Sequence, residues 1–181
     1  MLFNAITIAA LLASPILAMP SPAGFNTTAL AGSGLIVLET IPQGDDGVIT
    51  IYGTDPAFLA SPESDSAPSR LARRCGSNQV TCGSGNVPPL AACTDLINQV
   101  RGSSRLLSSS PRSLCLSRSG KQCCISWSKD IGSVRESDLQ NAANAVKNRC
   151  LADGLSGLAR DVSINKQCLT QCLSNRPNGC S

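Results

Sequence analysis

A small α+β fold, a disulfide-rich antiparallel sheet with two helices on one face in the order β-α-β-β-α-β, is what the later part of this sequence predicts. Three observations lead there. All ten cysteines fall between Cys75 and Cys180, ten of the last 107 residues, a density typical of small extracellular scaffolds that cannot bury enough apolar surface to stand unaided. Two stretches place apolar residues at helical spacing. Two neighbouring stretches alternate apolar with polar residues and agree with each other across a turn.

Asn78 to Cys82 is the first strand candidate. Pro88-Pro89 then introduces Cys93, Leu96, Ile97 and Val100, at offsets 0, 3, 4 and 7, one stripe of a helix with proline at its first turn. Gly102-Ser103-Ser104 stops it.

A hairpin follows, Ser113 to Arg118 and Lys121 to Ser128 around Ser119-Gly120. A two-residue loop sets Arg118 opposite Lys121, Leu116 opposite Cys123 and Leu114 opposite Ile125. Period-2 alternation then gives one face Leu114, Leu116, Cys123, Ile125 and Trp127, and the other Ser113, Cys115, Ser117, Cys124, Ser126 and Ser128. The same rule sends the sulfurs of Cys123 and Cys124 to opposite sides of the sheet. A bond between those two would need a distorted eight-membered ring and is rejected.

The second helix is the clearest element. Leu139, Ala142, Ala143, Val146 and Cys150 form its stripe, Gly154 is its stop, and Ser133 to Glu136 and Ser137 to Gln140 both have capping-box spacing. Cys93 and Cys150 thus sit on the buried stripes of two helices, each within reach of a sheet sulfur. Leu158 to Ile164 reads as a strand, Asn165-Lys166 as a turn, and Cys168 to Leu173 as a strand or one helical turn. From Cys75 onward there is one Trp and no Tyr or Phe, so the aromatics that usually dominate core burial are missing. Five bridges at ~2 to 4 kcal/mol each are comparable to the ~5 to 15 kcal/mol stability of an ordinary domain. Connectivity is otherwise open.

The first 74 residues contain no cysteine. Residues 1–18 form an apolar run ending in Ala18, too short to span a bilayer and closed by the small residue a signal peptidase requires. Residues 19–74 hold six acids and three arginines, a net −3, whereas residues 75–181 hold twelve basic and six acidic residues, a net +6. Opposite charge on adjacent segments favours their association. Within the acidic segment Asn26-Thr27-Thr28 offers a glycosylation acceptor at Asn26. Leu35 to Glu39 and Val48 to Tyr52 are β-like runs around a turn, and Pro56 to Ser69 reads as a linker. Arg73-Arg74 directly precedes Cys75, on both the charge and the cysteine boundary, where a kexin-type protease would cut. The expected product is a propeptide, 19–74, and a cysteine-rich domain, 75–181.

Several chemistries are excluded. The chain has no histidine, which removes Ser-His and Cys-His nucleophilic pairs and the commonest general base. The cysteine spacings fit zinc poorly, and no phosphate-binding glycine loop follows a strand, so no cofactor or metal is expected. The carboxylates of Asp95, Asp130, Glu136, Asp138, Asp153 and Asp161 are the remaining acid–base groups, and Glu136 and Asp138 are better explained as first-turn residues favoured by the helix dipole. Arg105, Arg112, Arg118, Lys121 and Lys129 gather around the hairpin in sequence and form a candidate basic face for an anionic target. Lacking interleaved aromatics, it does not read as a nucleic-acid site.

Arg-Arg-Cys-Gly at Arg73 to Gly76, Ser-Pro-Arg-Ser-Leu-Cys at Ser110 to Cys115, Cys-Cys-Ile-Ser-Trp-Ser at Cys123 to Ser128 and Cys-Leu-Ser-Asn-Arg-Pro at Cys172 to Pro177 resemble fungal secreted cysteine-rich proteins with a "WD-like" domain. The resemblance covers roughly Cys75 to Cys180. It implies no propeller, for which the domain is too short and lacks repeats, and it carries over no activity and no functional residues. In architecture the layout is similar, more remotely, to killer toxins of smut fungi and to necrosis-inducing fungal effectors. The expectation is a secreted, extracellular, non-enzymatic protein, toxin- or effector-like, that binds a cell-surface or extracellular target. The alternative is a structural or cell-wall-associated basic protein that adsorbs to polyanions.

Overall fold

A computed structural model of the chain describes residues 29–30, 33–59 and 75–180. Ala18, Asn26, Arg73 and Arg74, and the expected linker beyond residue 59, lie outside the described residues.

Ten strands are described: β1 (Ala29–Leu30), β2 (Leu35–Gln43), β3 (Gly47–Thr54), β4 (Gln79–Gly83), β5 (Leu106–Leu107), β6 (Pro111–Arg118), β7 (Lys121–Trp127), β8 (Val134–Arg135), β9 (Ser156–Ile164) and β10 (Gln167–Ser174). Eight of them form one sheet, ordered β1-β2-β3-β6-β7-β10-β9-β4, with every neighbour antiparallel. β5 and β8 pair separately. The helices are α1 (Pro56–Leu59), α2 (Leu90–Gly102) and α3 (Gln140–Cys150), with single 3-10 turns at Glu136–Leu139 and Leu151–Asp153.

The β-α-β-β-α-β order is present as β4, α2, β6, β7, α3 and β9. The molecule is nevertheless mostly sheet, because three further features add strands. Cys168 to Leu173 belongs to strand β10, which inserts between β7 and β9. The two β-like runs of the acidic segment lengthen into β2 and β3 and dock, β3 pairing with β6 from Gly47 opposite Arg118 to Gly53 opposite Pro111. The loops after α2 and β7 supply β5 and β8.

The β6–β7 register is Arg118 to Lys121, Leu116 to Cys123, Cys115 to Cys124 and Leu114 to Ile125. Ser119 and Gly120 both have positive φ, 49° and 72°, the pairing of a type I′ turn whose twist suits a two-residue hairpin. Alternation then sorts the sheet. Leu114, Leu116, Cys123, Ile125 and Trp127 point to one side with Ile49 and Ile51 of β3 and Leu173 of β10, and all are buried. On that side α2 seats Cys93, Leu96, Ile97 and Val100, and α3 seats Ala142, Ala143, Val146 and Cys150.

Helix boundaries differ in detail from the sequence reading. Pro89 is the N-cap of α2 and lies outside its first turn, and neither capping box forms: the 3-10 turn at Glu136 and α3 itself both lack a side-chain cap. α3 grows directly out of the 3-10 turn, so its first amide groups have partners without one. Gly154 closes the end in the left-handed region, φ 71°, as helix-terminating glycines do.

Candidate functional site

The ten cysteines pair as Cys75–Cys168, Cys82–Cys150, Cys93–Cys123, Cys115–Cys124 and Cys172–Cys180. Two of these bonds fasten a helix to the sheet: α2 to β7 through Cys93 and Cys123, α3 to β4 through Cys150 and Cys82. Cys123 thus serves the helical side, while Cys124 bonds its register partner Cys115 on the other. The remaining two bonds hold the ends, Cys75 to β10 and the C-terminal Cys180 back onto the same strand.

The opposite face of the sheet gathers the sequence motifs. Ser113 on β6 is opposite Ser126 on β7, and Ser126 is opposite Cys172 on β10, so three motif-bearing strands meet at one small-residue patch. The Arg112 side chain links two of them, its Nε donating to the Trp127 carbonyl oxygen at 3.1 Å. Burial lowers the Arg112 pKa, and the nearby Asp130 carboxylate acts in the opposite direction. The chain after β10 folds back over the patch: Ser174 Oγ donates to the Arg176 carbonyl at 3.0 Å, and the Asn175 amide donates to the Asn86 carbonyl at 2.9 Å. Ser113 and Ser126 are both buried, and Gly179 of the tail lies close to the Ser126 hydroxyl. The motif residues therefore build the sheet and close the tail against it.

The candidate basic face is not one surface. Arg118 and Lys121 flank the tight turn of the β6–β7 hairpin, whereas Arg112 lies six residue steps, or roughly 20 Å at the usual strand rise, from Arg118, and Lys129 follows the far end of β7. Arg105 pairs with Glu39 of β2 and with Glu136 at 3.8 Å. Arg118 pairs with Asp46 at 3.7 Å and with Asp95 of α2 at 3.4 Å. Lys121 and Lys129 are exposed. Sequence reasoning missed these carboxylate partners because they lie 23 to 72 positions away, on elements whose docking only the fold reveals.

The surface carries shallow clefts. One of about 290 Å³ runs between the hairpin and β5, lined by Leu38, Glu39, Ile51, Leu106 and Leu107. A polar one of about 420 Å³ is lined by Ser128, Arg160, Asp161, Cys168, Leu169 and Thr170. Asp95 and Glu136 are engaged with the arginines, and Asp130 accepts the Gly132 amide at 2.8 Å. Among the described residues no cluster of three or more Cys, Asp or Glu could hold a metal ion. No helix there is long and apolar enough to cross a membrane.

The family model described as fungal WD-like matches residues 57–180. No curated protein and no solved structure matches the chain. With more than half of its length matched, and with the matched region comprising the helices, the motif-bearing strands and all five disulfides, this chain belongs to the fungal WD-like family.

Proposed function

We propose that this protein is secreted and acts without catalysis, as a toxin- or effector-like binder of an extracellular or cell-surface target. The observation that carries the reading is the disulfide network. Helices α2 and α3, both ends of the cysteine-rich region and the central strand pair are cross-linked, an arrangement that suits an oxidising compartment and a molecule that must keep its shape outside the cell. The absence of histidine and the engagement of Asp95 and Glu136 in ion pairs favour a binder over an enzyme.

Adsorption of a basic protein to cell-wall polyanions is the second reading. The dispersal of Arg112, Arg118, Lys121 and Lys129 to opposite ends of a hairpin, with Arg105 and Arg118 compensated, weighs against it. The two differ in salt response, since attraction between exposed charges fades by a few hundred millimolar salt whereas a shaped interface persists.

The deciding experiment applies the oxidised protein to fungal and plant cells and records growth, ion leakage and death. Salt-resistant binding, with an effect that disappears on reduction, is expected. Equal potency of the reduced chain would show that charge alone acts, and hydrolysis of a cell-wall substrate by the pure protein would overturn the non-enzymatic reading.

A further inference from the structure

The acidic hairpin β2–β3 has no cysteine and so no disulfide to the domain it joins. Its attachment is nonetheless extensive. β3 runs along β6 over seven register pairs, and its Ile49 and Ile51 enter the core at 6% and 2% exposure, opposite Leu116 and Leu114. Polar contacts pin the rim: Glu39 to Arg105, Asp46 to Arg118 and to the Ser119 hydroxyl at 2.6 Å, and Gln99 Nε2 donating to Gln43 Oε1 at 3.2 Å. The chain joins hairpin and domain through residues 60–74, which end in the dibasic pair. The family match begins at residue 57, after the hairpin's last strand.

We propose that cleavage in residues 60–74 yields a non-covalent two-chain protein, with the hairpin still seated on β6, and not a free cysteine-rich domain. A kexin-type protease hydrolyses the bond after Arg74: water adds across it, leaving a carboxylate on Arg74 and an ammonium on Cys75. Nothing in the β3–β6 contact depends on that bond. What is lost is the effective concentration supplied by the tether. Departure of the hairpin would strip the partner strand from β6 and expose Leu114 and Leu116 beside an open edge, a surface prone to recruit another strand. The acidic segment is on this account a permanent subunit whose removal needs more than proteolysis.

The test uses the oxidised full chain from residue 19, cut with a kexin-type protease or, where that site resists, at a specific protease site replacing residues 64–70. Native mass spectrometry at micromolar concentration is expected to give a single species at the mass of the uncut chain plus one water, in both low and 0.5 M salt. A denaturing gel without reductant separates two pieces. Elution of the cysteine-rich domain without the hairpin fragment would overturn the proposal, as would dissociation by salt alone. Ile51→Asp should raise the released fraction at least tenfold, while Glu39→Gln and the exposed Thr40→Asp should change it less than twofold. Should Ile51→Asp fail to fold, the wild-type measurement still decides. The proposal does not rest on the toxin-like reading, and a protein inert toward cells could still be two-chained.

Discussion

Gly157 of β9 lies directly beneath Cys150 of α3: a methyl group built on its α-carbon would stand 2.7 Å from the Cys150 Sγ and 2.9 Å from Val146 Cγ1. Helix α3 therefore rests on bare backbone, and the Cys82–Cys150 bond closes across that contact, Cys82 being the register partner of Gly157. Neither neighbour is the far end of a flexible chain. Gly157→Ala should push helix from sheet and cost about 1 to 3 kcal/mol, the usual penalty of overpacking. Gly85→Ala, with nothing within 4 Å, should change stability by less than about 0.5 kcal/mol. Guanidinium unfolding with disulfides intact compares them, and equal midpoints would refute the close contact.

The hydrogen bond from Arg112 to the Trp127 carbonyl is made by a half-buried charged donor. Arg112→Ala should cost about 1 to 2 kcal/mol, since it leaves that carbonyl short of a partner in a partly desolvated place. Arg112→Lys keeps the charge but not the fixed Nε–H, so it should recover only part of the loss. Full recovery in the lysine variant, read from urea midpoints, would show that charge alone matters there.

The five disulfides should rank by the loops they close. Removing Cys75–Cys168, separated by 93 residues, should cost about 4 to 5 kcal/mol in the chain-entropy account, against about 2 to 3 kcal/mol for Cys172–Cys180, separated by 8. Paired Cys→Ser variants measured by thermal unfolding provide the check. A reversed order would mean that tail closure over Ser126 matters more than chain entropy.

Tyr52 is the chain's one tyrosine. It sits on β3, half-buried; burial raises its phenol above the ordinary 10.0, while a hydrogen bond with Thr50 acts the other way. The folded state thus keeps this proton at a pH where the unfolded chain has lost it. Stability from the group is intact below pH 10 and is lost as pH climbs through the higher folded value. Absorbance at 295 nm should titrate above pH 10 in the native protein, and Tyr52→Phe should flatten the alkaline decline. A native midpoint at or below 10 would contradict this seating of the hairpin.

Local pattern carried far in this sequence. Two neighbouring strands with an intervening Ser119-Gly120 determined their own register, because a one-residue slip would have turned Leu114, Ile125 and Trp127 to the wrong side. The stripes of α2 and α3 were legible for the same reason. What stayed hidden depended on distant partners. Gln167 to Ser174 has too little apolar alternation to declare a strand, and it becomes one by filling the space between β7 and β9. Gln171 shows why: its side chain is buried on the helical side and donates from Nε2 to the Leu139 carbonyl at 2.8 Å. The basic residues looked like one face because sequence proximity ignores the length of a strand and the acids that fold onto Arg105 and Arg118.

The placement of β4 at the sheet's outer edge, against β9, has a consequence for biogenesis. If the protein is secreted as proposed and oxidises as it is threaded amino end first, Cys75 and Cys82 emerge 93 and 68 residues before their proper mates, and they meet each other first. An early Cys75–Cys82 mispair would have to be undone by thiol exchange, a slow step unless an isomerase catalyses it. Pulse-chase trapping of mixed disulfides should therefore find the amino-terminal pair scrambled early and corrected last, after helix α3 has brought Cys150 and strand β10 has brought Cys168.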